Sequence, residues 1–257
     1  MKKINVFVWI GLSINIIMGV FLWYVSSMPQ EYYDGLSYSE RNLIEIMSVM
    51  IVPWFICVLM QIASVFVLFK STTMSLTLAI VGSIIMLPTS CIFLTGYVFS
   101  YETERNKKLP VFSIEKTPSN EAALYFNVSY IIMLKLVMAG VGVIAIMFGS
   151  AIGWLLVVSG VIGWITTFRL KDRIAIGVIH DKLIITMRPC SDTYLVPLSD
   201  VMLVKENKNA VVLRINCDDF NRKCTLNKSM LEGENKQVML DEILSKIANK
   251  EAISVHQ

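Results

Sequence analysis

The order of apolar and polar positions splits this chain in two at Phe168. Before that residue, long apolar runs alternate with short polar ones. Ile4–Val25, Ile46–Phe69 and Met74–Val98 extend for 22, 24 and 25 residues without a charged side chain. A helix crossing a bilayer takes about 20 predominantly apolar residues, so each run predicts a transmembrane span. Pro53 and Pro88 fall inside the second and third runs. Proline lacks an N–H and frees a carbonyl from the helical ladder, so kinks are predicted near both. A further stretch, Ile131–Phe168, has 38 residues. As one helix it would reach about 57 Å, far beyond a hydrocarbon core of about 30 Å. It predicts two short helices reversing at Gly149-Ser150-Ala151, a hairpin that brings the total to about five spans.

From Ile174 the period changes to two. Leu183, Ile185 and Met187 share one face of a predicted strand, with Ile184, Thr186 and Arg188 on the other. Val211, Leu213 and Ile215 repeat the pattern, and Cys224 and Leu226 continue it. Turn-forming clusters at His180-Asp181, Cys190-Ser191-Asp192, Lys205–Asn209 and Asp218–Asn221 separate these runs. Leu240, Ile243, Leu244 and Ile247 then fall at helical spacing and predict an amphipathic C-terminal helix. The fold class is a polytopic α-helical membrane protein with a small C-terminal β-rich domain capped by one helix. Residues 1–125 hold three spans and a polar loop, 126–168 the hairpin, and 169–257 the soluble unit.

Composition agrees with this division: the chain is 55% hydrophobic and 17% charged, with a net charge of +3. Residues 169–257 carry 14 Lys/Arg against 12 Asp/Glu, and no basic run is dense enough to bind nucleic acid. Five cysteines without a CxxC indicate neither a zinc site nor a redox motif. Lys2 and Lys3 precede an apolar run too long for a signal peptide, and no small-x-small cleavage site follows it. The chain reads as bacterial, which makes the membrane the plasma membrane. Lys2 and Lys3 favour a cytoplasmic N-terminus. With five spans, however, Arg41, Arg105, Lys107, Lys108, Lys116, Arg169, Lys171 and Arg173 outnumber Lys2, Lys3 and Lys70 on the other side. That count places the C-terminal domain in the cytoplasm and the N-terminus outside. Four spans, with the first or third run not crossing, would satisfy both signals.

Candidate functional residues are few. Gly142 and Gly149, and then Gly153 and Gly160, form two pairs at seven-residue spacing and are candidates for close helix packing in lipid. Glu45 and Lys135 are the ionisable groups inside or beside apolar runs, where transport chemistry would be sought. Both stand near span ends and can snorkel to an interface. Gln61 and Thr89 read as hydrogen-bonding glue between helices. No GxSxG, HExxH or phosphate-binding glycine loop occurs, and His180-Asp181 reads as a turn rather than a base and its orienter. No catalytic residue, metal ligand or cofactor is assigned.

The segments FRLKDRIAIGVIHDKLIITM, YLVPLSDVMLVKENKNAVVLRI and VMLDEILSKIA, following a transmembrane hairpin, resemble the pleckstrin-homology-like (PH-like) domains of bacterial membrane proteins. The resemblance covers about residues 130–248 and leaves the N-terminal spans unmatched. It implies a curved sheet capped by a helix, usually cytoplasmic, that binds rather than catalyses. Lys182, Arg188, Arg222 and Lys223 do not form the cluster that phosphoinositide recognition needs and read as solvated surface. The expected function is non-enzymatic: an inner-membrane protein acting by binding, with the lipid bilayer and a protein as partners. The most specific expectation is an immunity protein against a membrane-targeting, pore-forming toxin. The alternatives are a small transporter or channel accessory subunit, and a membrane-anchored lipid- or protein-binding adaptor.

Overall fold

A computed structural model describes residues 4–29, 35–112, 122–217, 220–233 and 235–254 of the chain. Lys2, Lys3, Lys116, Asp218 and Asp219, which figure in the sequence reading, lie outside the described residues. Helix α1 spans Val6–Ser26, α2 Tyr38–Val67, α3 Thr72–Ile84 and α4 Cys91–Arg105. Asn5 caps α1 by accepting the Phe7 N–H at 3.0 Å. At the start of α2 the Glu40 carboxylate accepts the Ser37 N–H at 2.8 Å, satisfying a donor that has no helical partner. That cap starts α2 eight residues before the apolar run, and the helix continues through Pro53.

The third apolar run is not one helix. The chain leaves helical structure between Ile84 and Cys91, around Pro88, and side chains take up the carbonyls freed there. Gln61 Nε2 donates to the Gly82 carbonyl at 3.1 Å, Ser90 Oγ to that of Ser83 at 2.8 Å, and Thr89 Oγ1 to that of Met86 at 2.7 Å. Contacts along the bundle fix the direction of each piece. In α1, Gly19 packs on Trp54 and Asn15 bonds Gln61, so α2 runs antiparallel to it. Gly82 of α3 abuts Cys57 and Gln61 of α2. The α4 helix returns along α1, with Thr89 at Asn15, Gly96 against Val8, and Ser100 accepting the Asn5 N–H at 2.9 Å. Helix α3 therefore enters from the end where α1 begins, turns at the level of Asn15 and Gln61, and α4 comes back to that same end.

Strand β1 is Ala122–Phe126, one residue before α5 (Val128–Met147); the hairpin turns at 148–151 into α6 (Ile152–Thr167). Strands β2 (Ile174–Ile179), β3 (Lys182–Thr186), β4 (Thr193–Pro197), β5 (Val201–Glu206), β6 (Ala210–Cys217), β7 (Phe220–Asn227) and β8 (Leu231–Glu232) follow, then α7 (Lys236–Ser254). All ladders are antiparallel, in two sheets ordered β4-β3-β2-β1-β8 and β5-β6-β7. The hairpin is thus inserted between two strands that pair with each other, Leu124 opposite Ile176. Residues that the sequence grouping assigns to the first segment supply a strand near the middle of the sheet.

Leu240, Ile243, Leu244 and Ile247 of α7 join Leu124, Ile176, Leu183, Ile185, Leu213 and Ile215 in one buried core. The alternation predicted for β3 differs in one respect. Ile184 and Thr186, on the opposite face, are buried as well. Ile184 sits in a second small cluster with Ile174 and Ile179, packed by Phe112, Ala123 and Leu195. Among the described residues, four helices are long and apolar enough to cross a membrane: α1, α2, α5 and α6 with its short extension to Leu170.

Candidate functional site

The last turns of α4 reach out of the apolar bundle and meet the β unit. Glu102 is fully buried there, and its carboxylate is shared. Arg222 of β7 donates Nη1 to Oε2 at 2.8 Å and Nη2 to Oε1 at 3.0 Å, a bidentate pair. Arg222 Nη1 also donates to Asn106 Oδ1 at 2.6 Å, and Arg188 Nη1 reaches Glu102 Oε1 at 3.1 Å. Burial acts to lower the Arg222 pKa, but the hydrogen bonds and charge of Glu102 prevail and raise it above its ordinary value. Beyond α4 the chain adds itself to the sheet edge: Phe112 N–H donates to the Thr193 carbonyl at 2.9 Å and Leu195 N–H to that of Pro110 at 3.0 Å. Arg222 is therefore not solvated surface, whereas Arg188 reaches Glu102 from an exposed position. Together with the direct β1–α5 and α6–β2 connections, they fasten the β unit to the helices.

Thiols and a phenol nearby are quiet. Burial pushes Cys224 to about 12, Cys190 to about 11 and Tyr194 to about 12. All five cysteines are free. Cys217 lies opposite Phe220 and Cys224 opposite Leu213, so the two sit on different rungs of the β6–β7 ladder. Among the described residues no group of three or more His, Cys, Asp or Glu side chains converges on a metal position. His180 adopts φ 51° between β2 and β3.

Inside the bundle the polar side chains bond one another. Asn15 Nδ2 donates to Gln61 Oε1 at 2.9 Å, Thr89 Oγ1 lies 3.1 Å from Asn15 Oδ1, and Trp54 Nε1 donates to the Asn15 carbonyl at 2.8 Å. These atoms surround the tip of the α3–α4 pair and are buried.

The four glycines of the hairpin play different parts. A Cβ on Gly142 would stand 2.8 Å from the Gly153 carbonyl oxygen, and one on Gly153 2.6 Å from that of Gly142. Gly160 faces Ala139 at 2.8 Å. Gly149 has open space around it and instead supplies φ 77° at the end of α5. Gly11 and Gly96 lie closer still to the backbones of Phe93 and Val8, a crossing of α1 and α4 that isolated glycines do not advertise in sequence.

Glu45 is exposed on the second turn of α2, away from Lys135. Lys135 is half-buried and lies across α6, where a Cβ on Gly163 would come within 2.8 Å of its Cδ. It lines a cavity of about 390 Å³ between α4 and the hairpin, walled by Leu94, Val98, Phe99, Ile131 and Leu170. A second cavity of about 270 Å³ adjoins it through Phe99 and Cys190 and holds Arg169, Arg173 and Asp192. The Arg169 guanidinium lies over the rings of Phe7 and Phe99, at 5.5 and 5.2 Å. Comparison with known protein families, with curated proteins and with solved structures finds no match to this chain.

Proposed function

We propose that the chain is a bacterial plasma-membrane protein that acts by binding rather than catalysis, with a PH-like module held rigidly against its spans. The observation that carries this reading is the buried Glu102–Arg222 pair with the 110–112 strand addition. A module on a flexible tether needs neither. A clamped one keeps a fixed surface at a fixed distance from the bilayer. Edge strand β5 exposes Met202 and Val204, two apolar side chains at an irregularity of the β5–β6 ladder and a candidate contact for a protein partner.

The course of the helices supports four crossings and a re-entrant α3–α4 pair that dips halfway and returns. The N-terminal end of α1 and the β module then share one side. Among the described residues that side carries Lys70, Arg105, Lys107, Lys108, Arg169, Lys171 and Arg173 next to the helix ends, against Arg41 on the other. The bias supports a cytoplasmic module, and it removes the conflict with Lys2 and Lys3.

In its most specific form the reading is an immunity protein that occupies a membrane-acting toxin. Deleting the gene should sensitise cells to toxin-producing siblings, with depolarisation as the symptom, and re-expression should rescue in proportion to protein level. Met202→Lys with Val204→Lys should abolish rescue at unchanged abundance. A deletion strain that competes normally against every sibling would remove the immunity form. A second reading, a channel or transporter accessory subunit, draws on the polar tip of the re-entrant pair. It calls for altered ion flux from Glu45→Ala or Lys135→Ala at normal abundance.

A further inference from the structure

We infer that the crevice between α4 and the α5–α6 hairpin is a binding site for one anionic phospholipid. An acyl chain would fill the apolar part, with the phosphodiester held by Arg169 and Arg173 and by Lys135 from within. The inference rests on the proposed reading of the apolar helices as membrane spans. Its ground is the proximity of two unlike cavities that share Phe99 and Cys190 in their walls. The larger is walled mainly by aliphatic and aromatic side chains, with Thr95, Thr166 and Thr167 and a single charge, Lys135. A half-buried cation on a mostly apolar wall favours an anionic partner, and Lys135 has no acidic partner among the described residues.

The neighbouring cavity, which also reaches Ile4 and Asn5 at the start of α1, differs in character. It holds two arginines and one acid, Asp192, which accepts from Thr103 Oγ1 at 3.4 Å. Arg173 Nη1 is fixed by the Ser191 carbonyl at 2.8 Å. Arg169 is held between two rings, an arrangement that orders the guanidinium without using its N–H donors. Two arginines against one carboxylate leave the smaller cavity positive, and the larger is mostly apolar with Lys135 as its one charge. A ligand complementary to both has an anionic head and a hydrocarbon tail. The bilayer that the spans would occupy is the source of such molecules.

The test uses the full chain, reconstituted into nanodiscs of phosphatidylcholine with a minor share of phosphatidylglycerol, then re-extracted in mild detergent and weighed by native mass spectrometry. The wild type should retain one phosphatidylglycerol in preference to phosphatidylcholine. Arg169→Gln with Lys135→Gln should lower that retention at least about tenfold, because two charge-assisted contacts are lost, with an unchanged melting temperature in lipid-free detergent. Lys182→Gln, on the exposed start of β3, should leave it alone. Equal retention of the neutral lipid, or full displacement by glycerol phosphate, would overturn the site. Loss of all lipid from a chain that pellets with membranes would overturn it and leave the spans standing. A chain that never enters membranes would overturn both.

Discussion

Glu102 shows how much one side chain can decide. It is fully buried and paired, so removing it strands Arg222 in a buried site, and removing Arg222 leaves it only the exposed Arg188. Breaking such a pair typically costs about 3–5 kcal/mol, whereas replacing both members by apolar groups of similar size is often neutral. Arg222→Met and Glu102→Leu should each lower the melting temperature of the detergent-solubilised chain, and the double variant should recover most of the loss. Additive losses would show that the two do not act as a pair. Nothing local in the sequence marks Glu102. It lies in a stretch that hydropathy assigns to a polar loop, and its partner sits 120 positions away.

The thiols support a second expectation at this scale. Cys224 ionises near 12 in the folded chain, against an ordinary value of about 9. Below about pH 9 both folded and unfolded chains hold the proton and stability is unaffected. Above it the unfolded chain releases the proton first, so stability falls as pH rises toward 12. Cys190 and Tyr194 add to the same slope. Melting temperature measured across pH 8–11 (an interval of about three pH units) should fall, and less steeply in Cys224→Ala.

Among the elements, periodicity identified those whose burial is one-sided. The α7 stripe, the alternating strands and the hairpin turn at 148–151 follow from it. It could not see that α3 and α4 are separate helices, because a broken apolar run and a continuous one have the same hydropathy. What distinguishes them is the set of partners for the carbonyls of Gly82, Ser83 and Met86, and Gln61 supplies one from another helix. Gln61→Leu should therefore loosen the α3–α4 tip and lower the yield of folded protein. Glycine contacts give the sharper test. Gly11→Leu, Gly153→Leu and Gly160→Leu each force a side chain into a neighbouring helix and should reduce membrane accumulation severalfold more than Leu155→Ala. Equal tolerance at all four sites would remove close packing as their role.

For the molecule as a whole, the proposed four crossings predict that both ends of the chain report the same side. Alkaline phosphatase fused after Ala248 should be inactive and a fluorescent protein there bright, with the same pair of results at the N-terminus. Opposite results at the two ends would restore an odd number of spans. The soluble unit itself was legible in sequence only from β2 onward. The short strand β1 is hidden behind the hairpin, so the autonomous piece suggested by residues 169–257 lacks the strand that lies between β2 and β8. That fragment should be largely unfolded by circular dichroism, while a fusion of residues 122–126 to 174–254 through a short loop should regain β structure and then lose it with Leu244→Asp. The insertion has a consequence for biosynthesis. With α5 and α6 crossing as proposed, β1 and β2 meet only when both arms have threaded the bilayer and come back to one face. A stalled or singly threaded chain leaves two apolar strand edges without mates, ready for membrane proteases. With the hairpin crossing as proposed, the sheet would double as a proofreader of its own membrane insertion.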